Sequence, residues 1–360
     1  MFRPTRYIEW ARRRFGQVRY DLATSGIPTV PAEERPEPLA DLPSGEAGCR
    51  ARAAIARYND VPEREALAAL GTTHGTWLAL ATLLSPGDAV LVEEPAYEPL
   101  LRTAEGVGAE VTRFTRPAEA SFAIDPDRIA RAWTERTRAV LVSHLHNPSG
   151  QRATNEALSA VAKLAEARGG FVVVDEVYSP FDALTDAAGV FRASARKLAP
   201  NVVAVGSLTK CYGLGPERIG WILAPEEVIA RAETTMTCSA GALPLSHAQQ
   251  SEASFTRIPA LAARTRAILG TKRERVAAWA AAHDVEYSAP AEGLFGFVRL
   301  PGRGDLFPMI ERAAEERDVL VAAGGFFGVP DGFRIAWSLP EADLDDGLAR
   351  LSAALKISRK

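Results

Sequence analysis

Four short runs, Ala89-Val90-Leu91-Val92, Ala139-Val140-Leu141-Val142, Phe171-Val172-Val173-Val174 and Val202-Val203-Ala204-Val205, contain no polar side chain. A strand that is apolar on both faces has to be covered on both faces, which implies a mostly parallel sheet between layers of helices. The intervening patterns agree. Helical periodicity appears over Ala51–Tyr58, Thr76–Leu84, Tyr97–Gly106 and Asn155–Arg168, with a turn at Ser85-Pro86-Gly87-Asp88 and a further strand over Glu110–Phe114. After about Ser251 the texture changes to a long Ala/Arg-rich helix (Ile258–Ala282), a strand (Leu294–Leu300), a helix (Asp305–Arg317), a strand (Phe333–Ser338) and a closing helix. That order predicts a second, smaller α+β domain. At the front, Tyr7, Ile8, Trp10, Ala11 and Phe15 form the apolar side of an amphipathic arm helix, and five prolines between Pro28 and Pro43 forbid regular structure there. The expected division is an arm and crossing segment over 1–44, a large domain over 45–250 and a small domain over 251–360.

Composition excludes several classes of function. With 47% hydrophobic and 24% charged residues in 360, the chain can bury a sizeable core. A net charge of −3 leaves no global basic field to hold nucleic acid or a membrane surface, so neither is expected as a partner. No apolar run reaches the 18 residues needed to span a membrane. Three cysteines, Cys49, Cys211 and Cys238, make no disulfide framework, so a cytoplasmic setting is expected. The arginines at 3, 6, 12, 13, 14 and 19 resemble a transit peptide, but Glu9, Asp21 and the scarcity of serine argue against one.

In open parallel sheets ligands gather at the carboxyl ends of the strands, so the polar residues after each apolar run hold the functional information. The run ending at Val174 leads into Asp175-Glu176-Val177-Tyr178, where Asp175 either caps the next turn or serves a ligand. The run ending at Val205 leads into Gly206-Ser207-Leu208-Thr209-Lys210, with Arg218 eight residues beyond Lys210. Ser207, Lys210 and Arg218 in one glycine-spaced loop offer a hydroxyl, an amine and a guanidinium to a single anionic aldehyde. Leu70-Gly71-Thr72-Thr73-His74-Gly75-Thr76 opens an apolar helix, and its small residues suit either a phosphate or simple N-capping. Tyr97 follows the first run and Asn147-Pro148-Ser149-Gly150 follows the second. His144 and His146 alternate along one strand face at a spacing that metal sites use, but no third ligand stands nearby, and no metal is expected. Arg334, in the otherwise apolar strand near the C-terminus, requires a partner, either a substrate carboxylate or a structural ion pair.

Taken together, these motifs resemble the pyridoxal-phosphate-dependent aminotransferases of class I/II, the aspartate aminotransferase fold or fold type I. The resemblance runs from about Tyr20 to Leu355 with six motifs in order. It implies an α/β architecture, in which a large domain with a mostly parallel seven-stranded sheet sandwiched by helices carries a smaller α+β C-terminal domain. It implies pyridoxal 5′-phosphate as cofactor, with Lys210 as the Schiff-base residue and Asp175 and Tyr178 as its catalytic companions. Asp175 would pair with the pyridine nitrogen, Tyr178 and Asn147 would hydrogen-bond the ring O3′, and Tyr97 would stack on the ring. Thr72, Thr73, His74, Ser207 and Arg218 would hold the phosphate. Gly26, in the Thr24-Ser25-Gly26 loop, would join Asn147 and Arg334 in binding substrate. The activity implied is amino-group transfer between an α-amino acid and a 2-oxo acid in a homodimer. One departure stands out. The tyrosine that family members commonly send to the partner's phosphate is missing from Ser44-Gly45-Glu46-Ala47-Gly48-Cys49-Arg50. That loss, together with Thr-Thr-His-Gly, resembles a branch that includes capreomycidine synthase, and makes a lyase or cyclase acting at Cβ or Cγ the alternative reaction. A scaffold keeping the fold without catalysis is a third reading, against which the filled catalytic positions argue.

Overall fold

The apolar runs become the centre of a seven-stranded sheet. In the computed structural model, which describes residues 3–37 and 43–360, the chain enters through the helix Arg6–Arg14 (α1) and a two-residue strand, Tyr20–Asp21 (β1). The second helix, Ser44–Asn59 (α2), then leads into the strands Ala66–Leu70 (β2), Ala89–Glu94 (β3), Glu110–Thr115 (β4), Thr137–Ser143 (β5), Phe171–Asp175 (β6), Val202–Ser207 (β7) and Ile219–Leu223 (β8). Their order across the sheet is β2-β8-β7-β6-β5-β3-β4, and β8 alone runs against the other six. Valines and leucines on both faces are fully buried, one face beneath the helix Gly71–Leu83 (α3), the other beneath Asn155–Glu166. The parallel strands expose their carboxyl ends at one edge, so Glu93, Ser143, Asp175 and Ser207 gather there.

Two strands of the seven-stranded sheet escaped the sequence reading. Ala66–Leu70 is alanine-rich, a composition that favours helix, and only pairing with β8 makes it a strand. Ile219–Leu223 contains Gly220 beside Trp221, which breaks the apolar run. The long helix expected over Ile258–Ala282 is two helices, Ile258–Leu269 and Lys272–Ala281, because Gly270 adopts φ +48° between them. The helix expected from Ala51 starts seven residues earlier, at Ser44. Within the proline segment a short 3₁₀ turn forms at Ala32–Glu34, and residues 38–42 lie outside the described part of the chain.

The C-terminal portion builds a four-stranded antiparallel sheet from Glu286–Tyr287 (β9), Phe295–Arg299 (β10), Ala322–Ala323 (β12) and Gly332–Ala336 (β13), while Val319–Leu320 (β11) pairs with β1. The arm helix belongs to this part: Tyr7, Trp10 and Ala11 are buried with Phe326, Phe327 and Trp337 in one cluster. Trp10 Nε1 and Arg14 both donate to Glu311, which fastens α1 through two side chains one turn apart on the same face. The helix Leu245–Thr256 runs continuously through residues 250 and 251, and Ile258, Leu261 and Ala262 of the next helix bury against the large sheet.

One ion pair locks the sheet edge beside the site. Glu93 and Arg116 have fully buried side chains, with Arg116 Nη1 at 2.6 Å from Glu93 Oε2. The other Glu93 oxygen accepts from Ser143 N and Oγ, and Ser143 Oγ in turn accepts from Asn147 N at 3.0 Å. Stripping the cation from a buried carboxylate costs about 3–5 kcal/mol. Arg116→Met is therefore expected to lower stability by that amount in urea unfolding, and the additional change Glu93→Gln to recover part of it. An unchanged midpoint for Arg116→Met would show that the pair does not hold this edge.

Candidate active site

The loop after β7 sets the geometry. Lys210 sits where its carbonyl accepts from Ile27 N at 3.0 Å, so the segment around Gly26 passes directly over it. A Cβ at Gly26 would lie 3.5 Å from Lys210 Cδ. Burial lowers the Lys210 amine to about 8; the Arg334 and Arg218 charges push it the same way, and Asp175 opposes them. Asp175, the last residue of β6, moves in the other direction. Burial raises its carboxyl to about 7 against the pull of the Val177 N–H, which donates to Oδ1 at 3.0 Å. Such a carboxylate is stable in its ionised form only beside a cation.

The next residue makes an instructive contrast. Glu176 is also buried and raised to about 7, yet Ser194 Oγ and Ala195 N both donate to it. It ties down the loop leading to β7. Asp175 keeps a free oxygen edge on the cavity.

At the other end lies an anion cradle. Helix α3 begins at Gly71 with no side chain capping its first turn and no acidic residue in it, so the first amides and the helix dipole face outward. Thr72 Oγ1 donates to Ser207 Oγ at 3.0 Å, which joins the helix start to the end of β7. Leu70 N donates to His74 Nδ1 at 3.0 Å, so in the neutral imidazole the proton rides on Nε2. Burial and the neighbouring His247 lower the His74 pKa, which keeps the ring neutral. Arg218 lies across the start of α3, its Nη2 donating to Leu70 O at 3.3 Å. Two glycines permit this: a Cβ at Gly71 (φ +76°) would stand 2.5 Å from Arg218 Nη2, and one at Gly220 would stand 2.5 Å from Gly71 Cα.

Thr72, Thr73, His74, Tyr97, Asp175, Tyr178, Ser207, Lys210 and Arg218 thus line a single cavity of about 830 Å³. Gly26, Asn147 and Arg334 are not in that wall but adjoin it. Arg334 is fully buried and donates to Asn147 Oδ1 at 2.8 Å, Tyr7 Oη at 2.8 Å and Ala23 O at 2.9 Å. No carboxylate of the chain pairs with it among the described residues, and its charge rests over the rings of Tyr7, Phe295 and Phe327. A structural ion pair, the alternative for this arginine, is thereby set aside. Two side-chain nitrogens here, Asn147 Nδ2 and Arg334 Nε, are buried without a hydrogen-bond partner. Buried donors of this kind fit a phenolic oxygen and a carboxylate respectively.

Sequence reasoning missed two contributors. Tyr178 Oη donates to Ser25 Oγ at 2.9 Å, and Tyr7 reaches Arg334 from the arm. Ser25 had the signal of its neighbour Gly26; Tyr7 read only as an apolar face. His144 and His146 spend their ring nitrogens on Ser179 and Ala153, and on Ser149 and Pro95. Among the described residues no group of three potential ligands could hold a metal.

Residues 44–351 match the aminotransferase class I and II family, and the chain belongs to it. Capreomycidine synthase of Streptomyces vinaceus is 28% identical over 96% of this chain and 92% of that protein. Two solved structures superpose over 99% of this chain and 98% of their own: a PLP-dependent aminotransferase from Streptococcus suis (TM-score 0.87, 22% identity) and the PLP-dependent cyclase OrfR (TM-score 0.84, 25% identity). The chain is therefore a pyridoxal-phosphate-dependent enzyme of fold type I, as the sequence motifs implied.

The lowered lysine pKa yields a measurable consequence. Only the neutral amine attacks an aldehyde, and at pH 7 a group of pKa about 8 is about one tenth neutral. Capture of pyridoxal phosphate by the cofactor-free protein, followed by visible absorbance, should accelerate as pH rises through about 8 and then level off. A rate still climbing toward pH 10 would mean that the amine is not desolvated as described.

Proposed function

We propose that this protein transfers an amino group between an α-amino acid and a 2-oxo acid, using Lys210 as the covalent anchor of pyridoxal phosphate. The observation that carries the reading is the convergence on one cavity of a desolvated amine (Lys210), a carboxylate that requires a cation (Asp175) and, next to them, an arginine without a carboxylate (Arg334). The residues present suit the group. Thr72, Thr73, His74, Ser207 and Arg218 would hold the phosphate, Asp175 the protonated ring nitrogen, Asn147 and Tyr178 the O3′ oxygen, and Tyr97 the ring face. Bound there, pyridoxal phosphate supplies an electrophilic carbon and a ring that accepts the electron pair released at the amino acid's Cα.

The chain's own residues then have distinct tasks. Arg334 binds the substrate carboxylate through Nε, which the protein leaves unpaired, and Asn147 holds the guanidinium plane in register. Lys210 Nζ, as a free amine, would move a proton between the substrate's Cα and the cofactor's C4′. The segment over Gly26 covers the Lys210 stem, and Ser25 orients the Tyr178 hydroxyl. A cytoplasmic homodimer is the expected setting; Cys49, Cys211 and Cys238 are unpaired thiols, which suits a reducing compartment.

A second reading is favoured by one observation, the 28% identity to capreomycidine synthase across nearly the whole chain. In it the same lysine, aspartate and arginine serve elimination or cyclisation at Cβ or Cγ. Product analysis separates the two. Amino-group transfer requires a 2-oxo acid acceptor and yields a new 2-oxo acid, whereas the second reading gives ammonia or a cyclised product without any acceptor.

Lys210→Ala is expected to abolish turnover with either chemistry. Asp175→Ala should reduce turnover by about a hundredfold or more, the factor for unpairing a buried charge, while the lysine still captures the aldehyde. Full activity in Lys210→Ala would remove it as the anchor.

A further inference from the structure

The guanidinium of Arg334 is already heavily committed within the chain. Its Nη2 carries two hydrogens, and both have acceptors: Tyr7 Oη at 2.8 Å and Ala23 O at 2.9 Å. Nη1 donates to Asn147 Oδ1 at 2.8 Å, and Nε has no partner. A guanidinium grips a carboxylate through two parallel N–H groups, either Nε with Nη2 or Nη1 with Nη2. Both forks need Nη2. With that nitrogen occupied, a carboxylate arriving at Nε receives one N–H from Arg334 and keeps an oxygen in want of a second donor.

The group that occupies Nη2 can supply it. Tyr7 Oη accepts from Arg334, and among the described residues no acceptor takes its own proton. Tyr7 is 3% exposed, and a buried O–H with nothing to donate to is costly. The residue is also held firmly. Tyr97, in the cavity wall, meets its ring edge-on with centroids 5.4 Å apart, and Phe326 does so at 5.6 Å. Its backbone N lies in the first turn of α1, which has no side-chain cap of its own, and donates to Glu98 Oε2 at 2.8 Å. Trp10, one turn on, donates to Glu311 at 2.8 Å. The hydroxyl is thus fixed by contacts to both domains.

We propose that Tyr7 is a substrate-binding residue, whose hydroxyl donates to the α-carboxylate of the incoming amino acid while Arg334 Nε donates to the same group. This rests on the assignment of Arg334 in the function proposed above and deepens it. Accepting from a cation polarises the hydroxyl and makes it a better donor. The arm helix thereby becomes part of the substrate site. A hydroxyl that only blocked Nη2 would have the opposite effect, because its removal would open a fork and tighten binding.

The test titrates the cofactor-loaded parent and Tyr7→Phe with alanine, leucine, phenylalanine, glutamate and arginine, each beside its α-carboxamide, following the cofactor absorbance. Tyr7→Phe keeps the ring and its edge contacts, so cofactor retention and the spectrum without substrate are expected to match the parent. Amino acids that respond in the parent should need about tenfold more in the variant, the factor for one hydrogen bond to a charged group, with KM rising and kcat held. The advantage of each over its own carboxamide should shrink severalfold, which a general loosening of the arm would not produce. An unchanged or lower concentration in Tyr7→Phe, or an equal rise for amino acid and carboxamide, would overturn the role of Tyr7 and leave that of Arg334 standing. Silence of the parent toward every amino acid would defeat the amino-transfer reading and this inference with it.

Discussion

The site is organised around a carboxylate that the protein has taken out of water without giving it a partner of its own. Asp175 ends a strand buried on both faces, receives one backbone N–H, and feels the nearby negative charge of Glu93. Its ionisation is thereby made costly, and a cation placed against it is correspondingly favoured. Its neighbour Glu176 shows the other way of burying the same group, with two donors that leave it nothing further to bind. In the proposed chemistry Asp175 meets the ring nitrogen of the cofactor and keeps it protonated, which is what turns a heterocycle into a sink for electrons.

The fold delivers this arrangement through one reversed strand and two glycines. Six strands point their carboxyl ends to the same edge, which brings Asp175 and Ser207 together from β6 and β7. Strand β8 then returns antiparallel, so that Arg218 at its entrance lies over the start of α3 instead of at the far side of the sheet. Gly71 and Gly220 supply the close approach. The small domain contributes from the opposite side: Arg334 on β13 is joined to Asn147 on the large domain and to Tyr7 on the arm, contacts that span 187 and 327 residues.

Much of this was legible before any coordinates. The all-apolar runs Ala89–Val92, Ala139–Val142, Phe171–Val174 and Val202–Val205 gave the parallel core, because only a doubly covered strand tolerates them. The polar residues that follow them, Asp175, Ser207 and Lys210, are each ordinary at a strand end and become informative only together, through the spacing of Ser207, Lys210 and Arg218 in one glycine-spaced loop. What did not show was set by tertiary contact. Ala66–Leu70 has no strand signature apart from its pairing with β8, and Ser25 and Tyr7 enter the site through single hydrogen bonds to residues more than 150 positions away. The break at Gly270 was visible as a glycine but lay within otherwise helical periodicity on both sides.

The central claim concerns the protonation of one nitrogen, and nitrogen-15 magnetic resonance reads it directly. With cofactor labelled at the pyridine nitrogen and bound to the enzyme, the resonance is predicted to sit in the pyridinium range from pH 6 to 9 and to move to the neutral pyridine range in Asp175→Asn. A neutral-pyridine resonance in the unaltered enzyme at pH 7 would contradict the account.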